Sequence, residues 1–317
     1  MTSYFLHIGM HKTGSTSIQD YLAAQRSALL EAGIDYPLIG RRSPAKSTHA
    51  QFAAYFGNNS LRYPANFSET IAGGFTAAPV CILSSEIFYN YSNADAMVRA
   101  RHVLGDDVQV ICYVRDPVSH IRSHYKQALK HQQKIGFATF VARNTRLLRN
   151  PEKTSFYCYD ENLAVWRNSF ELTEAAYDRN NRIEDFLQHC GLDGRFMPPP
   201  DTMMVTKNEA FSDTAAVLHQ RLNLCLFEKR IEEDRYKSLK HMLFAAKDAD
   251  VIGLAKDTLQ MAELDMRDYK TAFAERNPDH AGCLDETPDS LSFASSTALT
   301  DGEIFALIEA LAVEPNS

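Results

Sequence analysis

The sequence predicts an α/β fold, a parallel sheet flanked by helices, and three observations carry that expectation. Apolar runs at residues 3–8, 80–83 and 108–114 are short and rich in β-branched and aromatic side chains, which suits buried strands better than helices. Segments with helical spacing alternate with these runs, as crossover helices between parallel strands do. The runs are apolar continuously rather than on alternate residues, the pattern of strands covered on both faces. Such sheets bind ligands beyond the carboxyl ends of their strands.

The elements follow in order. Residues 3–8 form the first strand, Gly9 breaks it, and Ser15 and Thr16 lead into a helix beginning near Ser17. Ile18, Tyr21, Leu22, Leu29 and Leu30 keep helical spacing until Gly33, after which residues 34–36 make a short segment ending at Pro37. Residues 37–48, with Pro37, Gly40, Arg41, Arg42, Ser43, Pro44 and Ser47, read as an exposed loop. The strand at 80–83 opens into Ser84, Ser85 and Glu86. A helix over 94–104 and the strand at 108–114 follow, the latter ending at Arg115, Asp116 and Pro117.

From residue 118 to 149 the chain reads helical. Residues 183–190 suit a short amphipathic helix stopped by Gly191, Pro198, Pro199 and Pro200 mark a rigid loop, and 214–226 and 238–269 read helical. The carboxyl half is therefore expected to be mainly α. Residues 278–300, rich in Pro, Ser, Thr, Asp and Gly, read as a linker before a last helix at 304–311. The expected organisation is one α/β domain over 1–277 and an acidic tail over 278–317.

Composition narrows the function. Among 317 residues, 33 Lys and Arg face 40 Asp and Glu, a net charge of −7, so no global basic field exists to wrap nucleic acid. No apolar run reaches the ~18 residues a bilayer span needs, and His7, His11 and Lys12 interrupt any secretory leader, which leads us to expect a cytoplasmic protein without membrane insertion. Six scattered cysteines with no CxxC pair suit reduced core thiols. Charge is uneven, however: residues 101–153 hold ten bases against four acids, a local surplus suited to an anionic ligand.

Two motifs carry chemistry. Between the first strand and the first helix stands Gly9-Met-His-Lys12-Thr13-Gly14-Ser15-Thr16-Ser17, where main-chain N–H groups and the helix dipole face an anion and Lys12 adds a point charge. In the nucleotide-kinase pattern GxxxxGK[ST] the lysine follows the second glycine and a hydroxyl binds Mg²⁺. Here Lys12 precedes Gly14, which argues against a standard site for hydrolysing a nucleoside triphosphate. The second motif is Arg115-Asp-Pro117 at the end of a strand, with Ser123 about two helical turns on. A bidentate guanidinium and a hydroxyl suit a terminal phosphate monoester.

Together these motifs resemble the sulfotransferase family that uses 3′-phosphoadenosine 5′-phosphosulfate (PAPS), especially its bacterial, carbohydrate-type branch. The resemblance extends through Tyr159, Trp166 and Phe170, residues 182–191, and residues 207–212, where Lys207 stands in place of an expected arginine. It implies the P-loop-like sulfotransferase architecture and metal-free transfer of a sulfuryl group to a hydroxyl or amine of a small molecule, carbohydrate or glycolipid. Lys12, Thr13, Gly14, Ser15, Thr16 and Ser17 are then expected to hold the 5′-phosphosulfate, and Arg115, Pro117 and Ser123 the 3′-phosphate. The product is adenosine 3′,5′-bisphosphate (PAP).

Transfer needs a base for the acceptor hydroxyl. Glu86, at the end of a buried strand, is the first candidate, since partial burial there raises a carboxyl pKa toward a useful value. The second is His49, whose imidazole titrates in the right range. His120 and His124 have the i, i+4 spacing of a zinc face but lack a third ligand of matching spacing, and no metal is expected. Trp166, Tyr159, Phe156 and Phe170 suit a core or a pocket lining, and Arg41, Arg42 and Lys46 either grip an acidic glycan or balance the cofactor's charge. The alternatives to this reading are a kinase using Mg²⁺-ATP and a non-catalytic nucleotide-binding module.

Overall fold

The computed structural model describes residues 2–41, 43, 45–57, 73–91, 93–178, 182–192, 196, 212–246, 251, 259–295 and 299–310. Arg42, Pro44, Pro198, Pro199, Pro200 and Lys207 lie outside them. The chain divides into two compact units, Met1–Arg115 with Ser155–Lys207 and Asn277–His280, and Asp116–Thr154 with Asn208–Arg276 and Ala281–Ser317. The expected division at residue 277 is therefore not the observed one. Each unit takes chain from both sides of that point.

The first unit carries the predicted α/β fold. Its strands are β1 (Ser3–His7), β2 (Ile34–Asp35), β3 (Val80–Ser84), β4 (Val108–Val114) and β5 (Glu171–Ala176), all parallel in the order β2-β3-β1-β4-β5. The helices are α1 (Ser15–Ala24), α2 (Arg26–Glu31), α3 (Ala50–Phe56), α4 (Ala94–Leu104), α7 (Tyr159–Arg167) and α8 (Arg182–His189). β1 lies between β3 and β4, so the chain leaves it toward one side of the sheet and later crosses to the other. Ligands of open α/β sheets bind where the strand order reverses in this way, beyond the strands' carboxyl ends.

The three central strands are the apolar runs seen in the sequence, and burial explains why. Leu6, Ile82, Leu83, Val110 and Cys112 are wholly buried, and Ile18 and Leu22 of α1 join Ile183, Phe186 and Leu187 of α8 in one core cluster. β5 escaped the sequence reading because Glu171-Leu-Thr-Glu-Ala-Ala176 is an edge strand, mostly solvated, whose adjacent Thr173 and Glu174 break the apolar alternation of a strand.

The second unit holds α5 (Pro117–Lys130), α6 (Phe137–Leu148), α9 (Asp213–Phe227), α10 (Glu233–Ala245), α11 (Arg267–Arg276) and α12 (Asp301–Ala310). Asp116 caps α5 by accepting from Val118 N and Ser119 N, and Pro117 fills its first turn. The expected single helical run over 118–149 is two helices. Gln132 takes φ 61 in the turn between them, and Gly136 starts α6.

A further correction concerns residues 238–300. Gln260–Asp265, expected as helix, is strand β6, and Ser290–Ser295, expected as linker, is strand β7, the two pairing antiparallel. Leu291 and Phe293 alternate with serines, a strand period that the Ser-rich composition masks. The final helix is built into this unit's core, with Ile304, Phe305 and Ile308 packed beside Leu218, Leu222 and Leu239. Part of the basic surplus over 101–153 is spent on structure here, since Arg122 and Lys126 pair with Asp213, and Arg149 with Asp268.

Buried histidines make the first unit acid-sensitive. Burial holds His7 and His49 at a pKa of about 3, so both are neutral when folded. In the unfolded chain they titrate near 6.5, so protons favour unfolding as pH falls below that value and continue to do so toward 3. At pH 5.5 each histidine costs ~1.4 kcal/mol. Urea unfolding of the wild type and of His49→Gln between pH 7.5 and 5 is expected to show stability falling with acid, less steeply in the variant. A flat profile in the wild type over that range contradicts the assignment.

Candidate anion-binding site

β1 stops at His7, and the chain turns back within seven residues to begin α1 at Ser15. The turn is built from left-handed backbone: φ is +23° at Gly9, 68° at Lys12 and 76° at Gly14. Turns of this kind form the anion-binding concavities of phosphate loops. Gly14 precedes α1 with no side-chain cap, and the helix has no acidic residue in its first turn to complement its positive end.

Close neighbours add to the backbone constraint at these glycines. A Cβ at Gly9 would stand 2.5 Å from Ser15 Oγ, and one at Gly14 would stand 2.5 Å from Nη1 and 3.0 Å from Cδ of Arg182. Lys12 has a Cβ and still adopts positive φ, at a cost of ~1–2 kcal/mol. Hydrogen bonds hold the loop in that shape. Thr13 Oγ1 donates to Met10 O at 2.7 Å, and Arg115 Nη1 donates to Lys12 O at 2.7 Å. The second of these joins the two motifs that the sequence singled out separately.

Arg115 follows the last residue of β4. Its main-chain oxygen accepts from Tyr159 OH at 3.2 Å, and its guanidinium carbon lies 5.3 Å from the Tyr177 ring centroid. Three cationic residues, Lys12, Arg115 and Arg182, thus meet at one loop. Among the hydroxyls, Thr13 is spent on Met10, Thr16 is exposed, and Ser15 Oγ is buried with no hydrogen-bond partner among the described residues. The Ser17 amide donates to Gly14 O at 2.9 Å, so it is already engaged in starting the helix.

The two candidate bases, Glu86 and His49, differ in their surroundings. The Glu86 carboxylate is half-buried beyond β3 and accepts from Nε2 of Gln19, on α1, at 3.1 Å. His49 is wholly buried with both ring nitrogens on main chain: Nε2 pairs with Pro37 O at 2.9 Å and Nδ1 accepts from Ser84 N at 3.1 Å. That geometry makes His49 a brace between the loop after β2 and the end of β3, with no nitrogen left to take a proton. Arg41 is similarly structural. Buried, it donates to the carbonyls of Pro37, Tyr36 and Lys46, which removes it from any glycan grip.

Ser123 belongs to the second unit, buried on α5. His120 and His124, on the same helix, stack with centroids 6.4 Å apart. Among the described residues, no group of three or more His, Cys, Asp or Glu is arranged to hold a metal ion. No helix among them is long and apolar enough to cross a membrane.

Three residues of the site were not legible in the sequence. His7, given no site role there, is fully buried beneath the loop, with Nδ1 2.8 Å from Ser84 Oγ. Tyr177 and Arg182 reach the loop only because β5 and α8 return to it after more than 160 residues of chain. The signal for His7 was its position as the last residue of β1, and spacing offers no comparable signal for Arg182.

No family model matches the chain. It is similar to a curated protein of Archaeoglobus fulgidus, described as an uncharacterized protein, at 29% identity over 171 residues. That alignment covers 51% of this chain and 43% of the relative, so the match spans less than half of the relative's length.

The packing at Gly14 is open to a direct test. Gly105 also has positive φ, at 84°, but nothing lies within 4 Å of where its Cβ would be. Gly105→Ala is therefore expected to cost only the backbone component of ~1–2 kcal/mol, and Gly14→Ala more, because Arg182 must also move. Thermal unfolding of both variants measures the difference, and equal losses contradict a close Gly14–Arg182 contact.

Proposed function

We propose that the protein is a sulfotransferase that moves a sulfuryl group from PAPS to a hydroxyl or amine of an acceptor, a carbohydrate or glycolipid, without a metal ion. One observation carries the reading: a left-handed glycine loop at the end of a central parallel strand, with Lys12 in it, tied by its own carbonyl to Arg115. The resemblance of these two motifs to the PAPS-dependent family gives the loop its ligand. The unpartnered, buried hydroxyl of Ser15 suits a phosphate oxygen.

The proposed step is a single in-line displacement. The acceptor oxygen or nitrogen bonds to sulfur while the bond from sulfur to the bridging oxygen breaks, and that electron pair stays on the 5′-phosphate of the departing bisphosphate. Lys12 and the loop amides stabilise the charge where it develops. The acceptor's proton passes to the Glu86 carboxylate, which Gln19 orients. Arg115 holds the 3′-phosphate and, through Lys12 O, the shape of the loop; Ser123 joins it by resemblance alone.

The donor half of this reading is tested by calorimetric titration with PAP in EDTA. Tight metal-free binding is expected, weakened about tenfold or more by Lys12→Ala and by Arg115→Ala, since a hydrogen bond to a charged group is worth ~1.5–3 kcal/mol. Absence of binding, or preference for Mg²⁺-ATP, overturns the sulfotransferase in favour of the kinase. The base is tested separately. Glu86→Gln is expected to leave PAP binding intact and to lower transfer to a screened glycan acceptor by roughly 10²- to 10⁴-fold, and unchanged transfer removes Glu86 from the role.

A further inference from the structure

Resting on the reading of the loop as a donor-binding cradle, we infer that Arg182 is a third cationic ligand of the donor, bound to the 5′-phosphosulfate from the α8 side of the loop. The sequence reading gave that group to Lys12 and the loop alone, and nothing in the family resemblance assigns Arg182 a contact with it.

The placement of Arg182 is fixed by its own helix. It is the first residue of α8, whose Ile183, Phe186 and Leu187 are buried in the core cluster that also takes Ile18, Tyr21 and Leu22 of α1. The Phe186 ring lies 5.2 Å from that of His7, directly before the loop. With α8 anchored in this way, the Arg182 side chain runs over Gly14, its Cδ 3.0 Å and Nη1 2.5 Å from the point a Cβ would occupy. The half-buried guanidinium therefore sits against the backbone that begins α1, where that helix presents its positive end.

Charge bears on what it does there. No carboxylate among the described residues forms an ion pair with Arg182. The acids nearest in sequence on α8 face elsewhere: Glu184 is exposed, and Asp185 accepts from Tyr113 OH at 2.7 Å and pairs with His189 at 3.5 Å. Tyr177 touches the same point, its Cε2 3.3 Å from the Gly14 Cβ position, and carries Arg115 over its ring. Arg182 and Arg115 thus both lie beside Tyr177 at one loop, and an anion seated there is attracted by both guanidiniums. A guanidinium also offers a planar fork, which matches two oxygens of a phosphate or sulfate better than an ammonium does.

Calorimetry with three probes in EDTA tests the inference: PAP, inorganic pyrophosphate, and adenosine 3′-monophosphate, which lacks the 5′ group. Arg182→Ala is expected to weaken PAP and pyrophosphate about tenfold to a hundredfold, to leave adenosine 3′-monophosphate unchanged, and to be partly rescued in Arg182→Lys. Wild-type affinity of Arg182→Ala for PAP and pyrophosphate overturns the inference, as does an equal loss for all three probes, which marks a merely structural role. The two readings fail separately. A wild type that binds pyrophosphate but not PAP removes the donor assignment while the pyrophosphate arm still decides Arg182, and a wild type that binds neither overturns both.

Discussion

A turn that places Gly9, Lys12 and Gly14 at positive φ is costly for its one side chain, and the hydrogen bond from Arg115 Nη1 to Lys12 O is what holds it. That bond has consequences in both directions. It fixes the loop, and it commits one arm of the Arg115 fork to protein. The two motifs are thereby one mechanical unit. A change at the end of β4 is felt at the loop after β1, although the two are more than 100 residues apart.

The central strands β1, β3 and β4 are mostly apolar and buried, and they set where the loop begins. Beneath the loop, His7 and Ser84 face each other across adjacent strands, partners in the register of β1 and β3. Burial keeps His7 neutral, so the floor beneath the loop adds no positive charge of its own. A second histidine, His280, behaves in the opposite way: burial opposes its charged form, but hydrogen bonds to Glu174 and Asp160 outweigh that and raise its pKa. It clamps residues 277–280 to α7 and β5, which explains why that short segment belongs to the first unit.

Much of this was legible in the sequence because the signals were local. The strands at 80–83 and 108–114, the helix at 94–104 and the glycine loop each announce themselves within about ten residues. What was missed depends on partners far along the chain. β6 and β7 are weak strands that exist because they pair with each other, and β5 is an edge whose polar residues hide its period. Arg182 reaches Gly14 through the packing of α8 on α1, and no spacing rule records that. His49 illustrates the converse error: its residue type fits a base, but whether both nitrogens are already used is a property of the fold.

We propose the loop from Gly9 to Gly14 as a cradle for the 5′ anionic group of an adenosine 3′-phosphate donor. The most direct test is a crystal structure of the protein with adenosine 3′,5′-bisphosphate. The 5′-phosphate is expected within hydrogen-bond distance of Lys12 and the amides at the start of α1, and the 3′-phosphate on Arg115. A nucleotide bound elsewhere, or one that enters the loop only as a metal–triphosphate complex, contradicts it.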